Sequence, residues 1–199
     1  MKGCIQVPQE LEIEFKNLLE KDEFLALLEH FNIEESDFIS QENHYFDTPD
    51  FKLKGEQSAL RIRRKGNKQI LTLKTPAKEG LLETNQELST QAADELLESG
   101  IMPEGEVKQF LVDRRFPLSL IHFGSLTTRR AEIDFDGGLL VFDESSYFSK
   151  VDYELEYEVQ DFNSGQETFL NLLKEHGIPR RKTNNKIKRF YEEKVRLGL

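Results

Sequence analysis

Three charged side chains stand at alternate positions near the start of the chain: Glu12, Glu14 and Lys16, with Leu11, Ile13 and Phe15 between and before them. In an extended strand residues two apart point to one face, so two carboxylates and an ammonium would share a surface. The pattern recurs. Arg61 and Arg63 alternate with Leu60 and Ile62, and Thr72 and Lys74 with Leu71 and Leu73. Arg130, Glu132 and Asp134 oppose Ala131, Ile133 and Phe135, and Glu154, Glu156 and Glu158 oppose Leu155, Tyr157 and Val159. Guanidinium and ammonium groups bind phosphate oxygens, and clustered carboxylates hold hard cations such as Mg²⁺ or Mn²⁺. The chemistry on offer is the handling of a polyanion with divalent metal.

Other chemistries find less support. The sequence offers no plausible Ser-His-Asp arrangement, and His30, His44, His122 and His176 are scattered without metal-ligand spacing. The single cysteine, Cys4, rules out an intrachain disulfide framework and a Cys-based zinc site and is read as incidental. There is no G-x-x-x-x-G-K-[ST] loop, and Gly137-Gly138 reads as a hairpin turn, not a phosphate cradle.

The 199 residues favour one domain spanning the chain, 1–199, and are enough to bury a sizeable core. A net charge of −10 counts against general nucleic-acid binding, because a phosphate backbone would be repelled on average. No stretch approaches the apolar length of a membrane span, and Met1 to Gln9 contain no apolar signal segment. A soluble cytoplasmic protein, monomer or homodimer, is the expectation.

The charged positions must be held by strands. Alternation places strands at Leu11–Lys16, His44–Asp47, Ala59–Arg64, Gln69–Thr75, Leu81–Leu88, Leu126–Phe135, Leu139–Glu144 and Val151–Val159, with turns at Gly66-Asn67, Lys78-Glu79-Gly80 and Gly137-Gly138. Four or five helices accompany them. One covers Asn17–Phe31. One starts at an N-cap Thr90, one covers Gly105–Val112, one is capped by Ser164 and ends near Gly177, and one starts at Asn184 or Asn185. Phe116–Phe123 is ambiguous. Short connections argue for a largely antiparallel sheet, and eight strands suffice to close a barrel. The fold class is therefore α+β, an eight-stranded antiparallel barrel with helices packed outside.

A half-buried sheet with a solvated charged face would explain any one strand. The set is different. The charged faces are nearly pure charge, and several amphipathic helices need an apolar surface to cover. If the apolar faces lie under the helices, the charges point into the barrel. Such a lining is costly without partners. It makes sense if the partners are a polyanion and metal ions.

The segment Glu12-x-Glu14-x-Lys16 resembles the E-x-E-x-K signature of the CYTH superfamily, the triphosphate tunnel metalloenzymes. Tyr45-Phe46-Asp47-Thr48, Ala59-Leu60-Arg61-Ile62-Arg63, Leu71-Thr72-Leu73-Lys74, Thr128-Arg129-Arg130 and Glu154-Leu155-Glu156 follow in the family's order, so the resemblance covers about Leu11 to Phe190. It implies an eight-stranded tunnel that binds triphosphate compounds with Mg²⁺ or Mn²⁺ and, most often in bacteria, hydrolyses inorganic triphosphate. Glu12, Glu14, Glu154 and Glu156 resemble the metal ligands, with Asp143 and Glu87 where the family often has acidic tunnel residues. Lys16, Arg61, Arg63, Lys74 and Arg130 match the cations that grip phosphate; strand parity favours Arg130 over Arg129. Lys182 or Lys186 matches a C-terminal basic residue that closes over substrate. Glu12, Glu14 and Lys16 are the expected catalytic set, and Glu158 extends the acidic face by one step.

Three rival readings have distinct signatures. A class IV-type adenylyl cyclase would share the lining and make cyclic AMP from ATP. A non-catalytic polyphosphate or nucleotide-binding module would keep the cations and lose the acids, which are present here on the first and last strands. A calycin-like barrel for an apolar ligand would point apolar residues inward.

Overall fold

The computed structural model describes residues 9–78 and 80–199. Cys4 and Glu79 lie outside the described residues. The strands are β1 (Gln9–Leu19), β2 (Ile39–Asp47), β3 (Ala59–Lys65), β4 (Lys68–Pro76), β5 (Leu81–Leu88), β6 (Ile121–Phe135), β7 (Gly138–Tyr147) and β8 (Lys150–Val159). The helices are α1 (Lys21–His30), a single turn α2 (Lys52–Gly55), α3 (Thr90–Ser99), α4 (Glu106–Asp113), α5 (Phe162–Glu175) and α6 (Lys186–Arg196). In hydrogen-bonding order the strands run β1-β5-β4-β3-β2-β6-β7-β8 and close into an antiparallel barrel. The fold class expected from the alternation is the one observed.

The chain divides into two compact units, one built from 9–11 and Asn43–Ser125, the other from Glu12–Glu42 and Leu126–Leu199. In the first, Leu60 and Ile62 of β3, Leu71 and Leu73 of β4 and Leu88 of β5 are buried against Ala93 and Leu96 of α3 and Val107 and Leu111 of α4. In the second, Ile13, Phe15 and Leu19 of β1, Leu140 and Phe142 of β7 and Leu155 and Tyr157 of β8 pack with Phe24 and Leu27 of α1 and Phe169, Leu172 and Leu173 of α5. In both units the apolar parity of the strands lies under helices. That arrangement excludes the calycin-like reading, because the apolar side chains are already occupied by helical cover.

Several boundaries depart from the sequence expectations for local reasons. β1 continues to Leu19 because pairing with β8 runs through Leu19 opposite Tyr153; α1 therefore starts at Lys21 rather than near Asn17. Its first turn is closed by a capping box in which the Glu20 amide donates to the Glu23 carboxylate at 2.7 Å. β6 begins at Ile121 and absorbs the end of the ambiguous Phe116–Phe123 stretch. The β6–β7 turn is Asp136-Gly137 rather than Gly137-Gly138; φ is 43° at Asp136 and 79° at Gly137. Two consecutive left-handed residues are what a two-residue hairpin turn of matching twist requires. The caps shift by a few residues as well. Ser89, not Thr90, caps α3 by accepting from the Ala92 amide. Asp161, not Ser164, caps α5 by accepting from the Ser164 amide at 2.9 Å. Asn185 caps α6.

One buried carboxylate holds the link after β2. Asp47 is 3% exposed and accepts from the backbone amides of Thr48, Leu53 and Lys54 at 2.7, 2.9 and 3.0 Å. Replacing it with Ala orphans three donors around a buried Leu53. Asp47→Ala is expected to cost about 2–4 kcal/mol, read as a lower midpoint in urea with an unchanged m-value.

Candidate functional site

The second unit gathers most of the titratable positions. Antiparallel pairing of β1 with β8 sets Glu14 opposite Glu158 and Lys16 opposite Glu156. Since strand parity is shared across a pair, these side chains stand on one face. The carboxylates of Glu12, Glu14 and Glu158 come together, with one oxygen from each lying within 4.8 Å of the others, and all three residues are half-buried. Among the described residues this is the group of three or more His, Cys, Asp or Glu side chains that could hold a metal ion. Three converging carboxylate oxygens are a hard donor set, which fits Mg²⁺ or Mn²⁺ and not a thiolate-seeking metal. Lys16 forms an ion pair with Glu14. Burial would lower the Lys16 pKa, but Glu14, Glu156 and Glu154 together raise it, so the ammonium stays charged.

Glu154 and Glu156, expected as metal ligands, sit instead in a network of cations. On the next strand pair Arg130 faces Asp143 and grips it through both nitrogens, Nε to Oδ1 at 2.7 Å and Nη2 to Oδ2 at 2.6 Å. The same Nη2 reaches Glu156 Oε2 at 2.8 Å. Lys186, the first residue of α6, places Nζ 2.8 Å from Asp143, 2.9 Å from Glu154 and 2.5 Å from Glu156. Arg189, three residues on and therefore on the same helix face, pairs with Asp152 at 2.9 Å and with Glu154. Arg129 points elsewhere, to Glu35 and Glu144, as parity required.

The segment that delivers α6 is pinned to β1 and α1. Asn17 is fully buried; its amide donates to the Pro179 carbonyl at 3.1 Å and its carbonyl accepts from the Arg181 amide at 2.7 Å. Arg181 also forks onto Glu23 at 2.7 and 2.8 Å. Arg180 donates from Nη1 to the side-chain carbonyl of Asn17 at 2.9 Å, so both arginines are used in the fold, while Lys182 is exposed. Of the two C-terminal lysines considered, it is Lys186 that reaches the acidic network.

The network divides one proton between two neighbouring carboxyls. Burial pushes Glu154 up to about 7, reinforced by the charge of Glu156 and offset in part by Lys186. Burial also opposes ionisation of Glu156, but Lys186 and Arg130 overcome it and hold that pKa well below the usual carboxylate range. Asp143 is held down in the same way. A carboxyl whose folded pKa is raised binds a proton that the unfolded chain has released. Stability therefore falls as pH rises from the unfolded value of 4.5 through about 7. Glu154→Gln is expected to remove that fall, checked by following the thermal midpoint of both proteins across this window.

The first unit carries a smaller set. β3, β4 and β5 pair so that Lys74 stands opposite Glu83 and Thr72 opposite Asn85. Lys74 and Glu83 form an ion pair, and Thr72 Oγ1 donates to Asn85 Oδ1 at 2.7 Å. Burial resists ionisation of Glu83, yet Lys74 and Arg61 bring its pKa down to about 2. Arg63 donates from Nε to Asn43 at 3.0 Å. The Nε of Arg61 is buried without a hydrogen-bond partner among the described residues. Glu87 shares the parity of Glu83 and Asn85 but is exposed opposite Ile70.

Glu83, Asn85 and Asp152 were not singled out from sequence. Glu83 had a usable signal, lying two steps before Glu87 on the same strand face.

A family model described as the CYTH domain matches residues 10–191. The candidate triphosphatase YjbK of Bacillus subtilis (strain 168) is 50% identical over 187 residues, covering 94% of this chain and 97% of its own. A crystal structure of a candidate adenylate cyclase from Bacillus halodurans is 47% identical, covers 92% of this chain and 98% of its own, and superposes with a TM-score of 0.89. HpAC1 from Hippeastrum, a candidate adenylyl cyclase described as revealing a dominant triphosphatase activity, is 25% identical, covers 92% of this chain and 96% of its own, and has a TM-score of 0.78.

Proposed function

The chain belongs to the CYTH domain family, and from that premise we propose that it hydrolyses a triphosphate compound, inorganic triphosphate foremost, with Mg²⁺ or Mn²⁺. The observation that carries this reading is the meeting of Glu12, Glu14 and Glu158 beside a charged Lys16. Three carboxylates in one place repel each other, and the Lys16 ammonium paired with Glu14 offsets that only in part, so the trio is suited to a divalent cation.

These three side chains are the ones that would hold the metal. When bound, it would polarise a phosphoryl oxygen and neutralise charge as the anhydride bond to the leaving diphosphate breaks. Lys16, kept protonated by its acidic neighbours, orients the attacking water or a terminal phosphate oxygen. Arg130 and Lys186 keep Asp143 and Glu156 ionised and fix their positions. Arg61, Arg63 and Lys74 are proposed as phosphate ligands. The Nε of Arg61, buried and without a hydrogen-bond partner among the described residues, is a donor of the kind an anionic oxygen satisfies. Catalysis of this kind is positioning and electrostatics more than covalent chemistry.

YjbK and HpAC1 both carry triphosphatase descriptions, which supports hydrolysis over cyclisation. Purified protein is expected to release orthophosphate from inorganic triphosphate when either metal is supplied. Release no greater than that of a Glu12→Ala/Glu14→Ala control overturns the proposal. Accumulation of cyclic AMP from ATP without orthophosphate would replace it with the cyclase reading.

A further inference from the structure

Two imidazoles in the first unit converge on one hydroxyl. His44 Nδ1 lies 2.7 Å from Ser125 Oγ, and His122 Nε2 lies 3.1 Å from the same oxygen. The rings are 5.6 Å apart at their centroids. His122 and Ser125 are three apart on β6, so a regular strand would send them to opposite faces. Gly124 between them has φ 153°, and Phe123 and Leu126, also three apart, are both buried. The His122–Ser125 contact shows that the strand leaves regular alternation around Gly124, which brings Ser125 to the side of His122.

The serine has one proton. It can donate to at most one of the two ring nitrogens, so hydrogen bonding to both rings requires the other to donate its own N–H. Two nitrogens directed at one point, now held by the Ser125 hydroxyl, become an N,N donor pair when that hydroxyl rotates aside. Imidazole nitrogen suits zinc, nickel and copper(II), whereas the carboxylate trio suits hard cations. We propose that His44, His122 and Ser125 form a second metal site, selective for a borderline divalent transition ion, with the two imidazoles as ligands and Ser125 Oγ or water beside them. Binding needs both rings neutral, so protons compete with the metal for the imidazoles.

The probe is Zn²⁺ added to the full chain in millimolar Mg²⁺, which occupies oxygen donors. Long-range proton–nitrogen spectra of the imidazoles report each of the four histidines separately. His44 Nδ1 and His122 Nε2 are expected to shift on titration while His30 and His176 stay put. Calorimetry is expected to show the affinity falling at least about tenfold in His122→Ala, an exposed position unsuited to holding the fold together. A Cys4→Ser background removes the thiol as a competitor. Unmoved His44 and His122 signals overturn the proposal. So do shifts confined to His30 and His176, whose rings also lie close at 4.5 Å, or equal affinity in His122→Ala. None of these readouts depends on phosphate hydrolysis, so the proposed triphosphatase activity can fail or hold independently.

Discussion

Glu158→Gln is expected to lower kcat/KM for inorganic triphosphate by at least about 100-fold while leaving the thermal midpoint unchanged or higher. The two directions together are diagnostic. Glu158 stands directly opposite Glu14, and like charges facing each other across a strand pair destabilise it. Removing one carboxylate relieves that repulsion, against the loss of a long ion pair with Arg130 at 3.8 Å, and takes away a third of the donor set that would hold the metal. Partial recovery of rate at raised Mg²⁺ or Mn²⁺ would locate the defect in metal affinity. A Glu158→Gln enzyme with wild-type rate would remove this carboxylate from the reaction. Glu154 and Glu156 make the contrast, because Lys186, Arg130 and Arg189 hold them in short ion pairs, whereas Arg130 stands 3.8 Å from Glu158.

The second large effect falls on stability. Lys186→Met leaves Asp143, Glu154 and Glu156 around an apolar side chain with one buried cation fewer. Breaking a buried ion pair by deleting one partner costs about 3–5 kcal/mol, which for a chain of this size lowers Tm by on the order of 10 °C. Asp143 and Glu156 have depressed folded pKa values, so the stability they supply is present above the unfolded values of 3.8 and 4.5 and is lost as pH falls below them. The gap between wild type and Lys186→Met should accordingly be widest above about pH 5 and close in acid. Urea melts at several pH values would show it; a gap independent of pH would mean that Lys186 acts only by packing.

The strands and the faces they present were readable from period-two alternation, because charge and hydrocarbon separate so cleanly at Glu12 to Lys16 and Glu154 to Glu158. What alternation cannot give is which carboxylates meet. That depends on register, and only pairing shows that Glu14 faces Glu158 while Glu156 faces Lys16. Nor could it show that α6 turns Lys186 inward, since a basic residue at a helix start looks solvated until the Asn17 and Arg181 anchors are known. The N-caps moved by one to three residues because Ser89 and Asp161 lie beside equally suitable capping residues. Gly124 was the least legible feature: a strand that leaves regular alternation midway carries no periodic mark of its own.

The buried Asp143–Arg130–Glu156–Lys186 network has an evolutionary corollary. Groups of this kind can often be exchanged for well-fitted hydrocarbon with a gain in thermodynamic robustness. Selection for stability alone would therefore erode them, and laboratory evolution under heat stress without a phosphate-release screen should drift toward greasy replacements at these four positions. Their survival in a chain free to lose them would be a record of a demand other than folding.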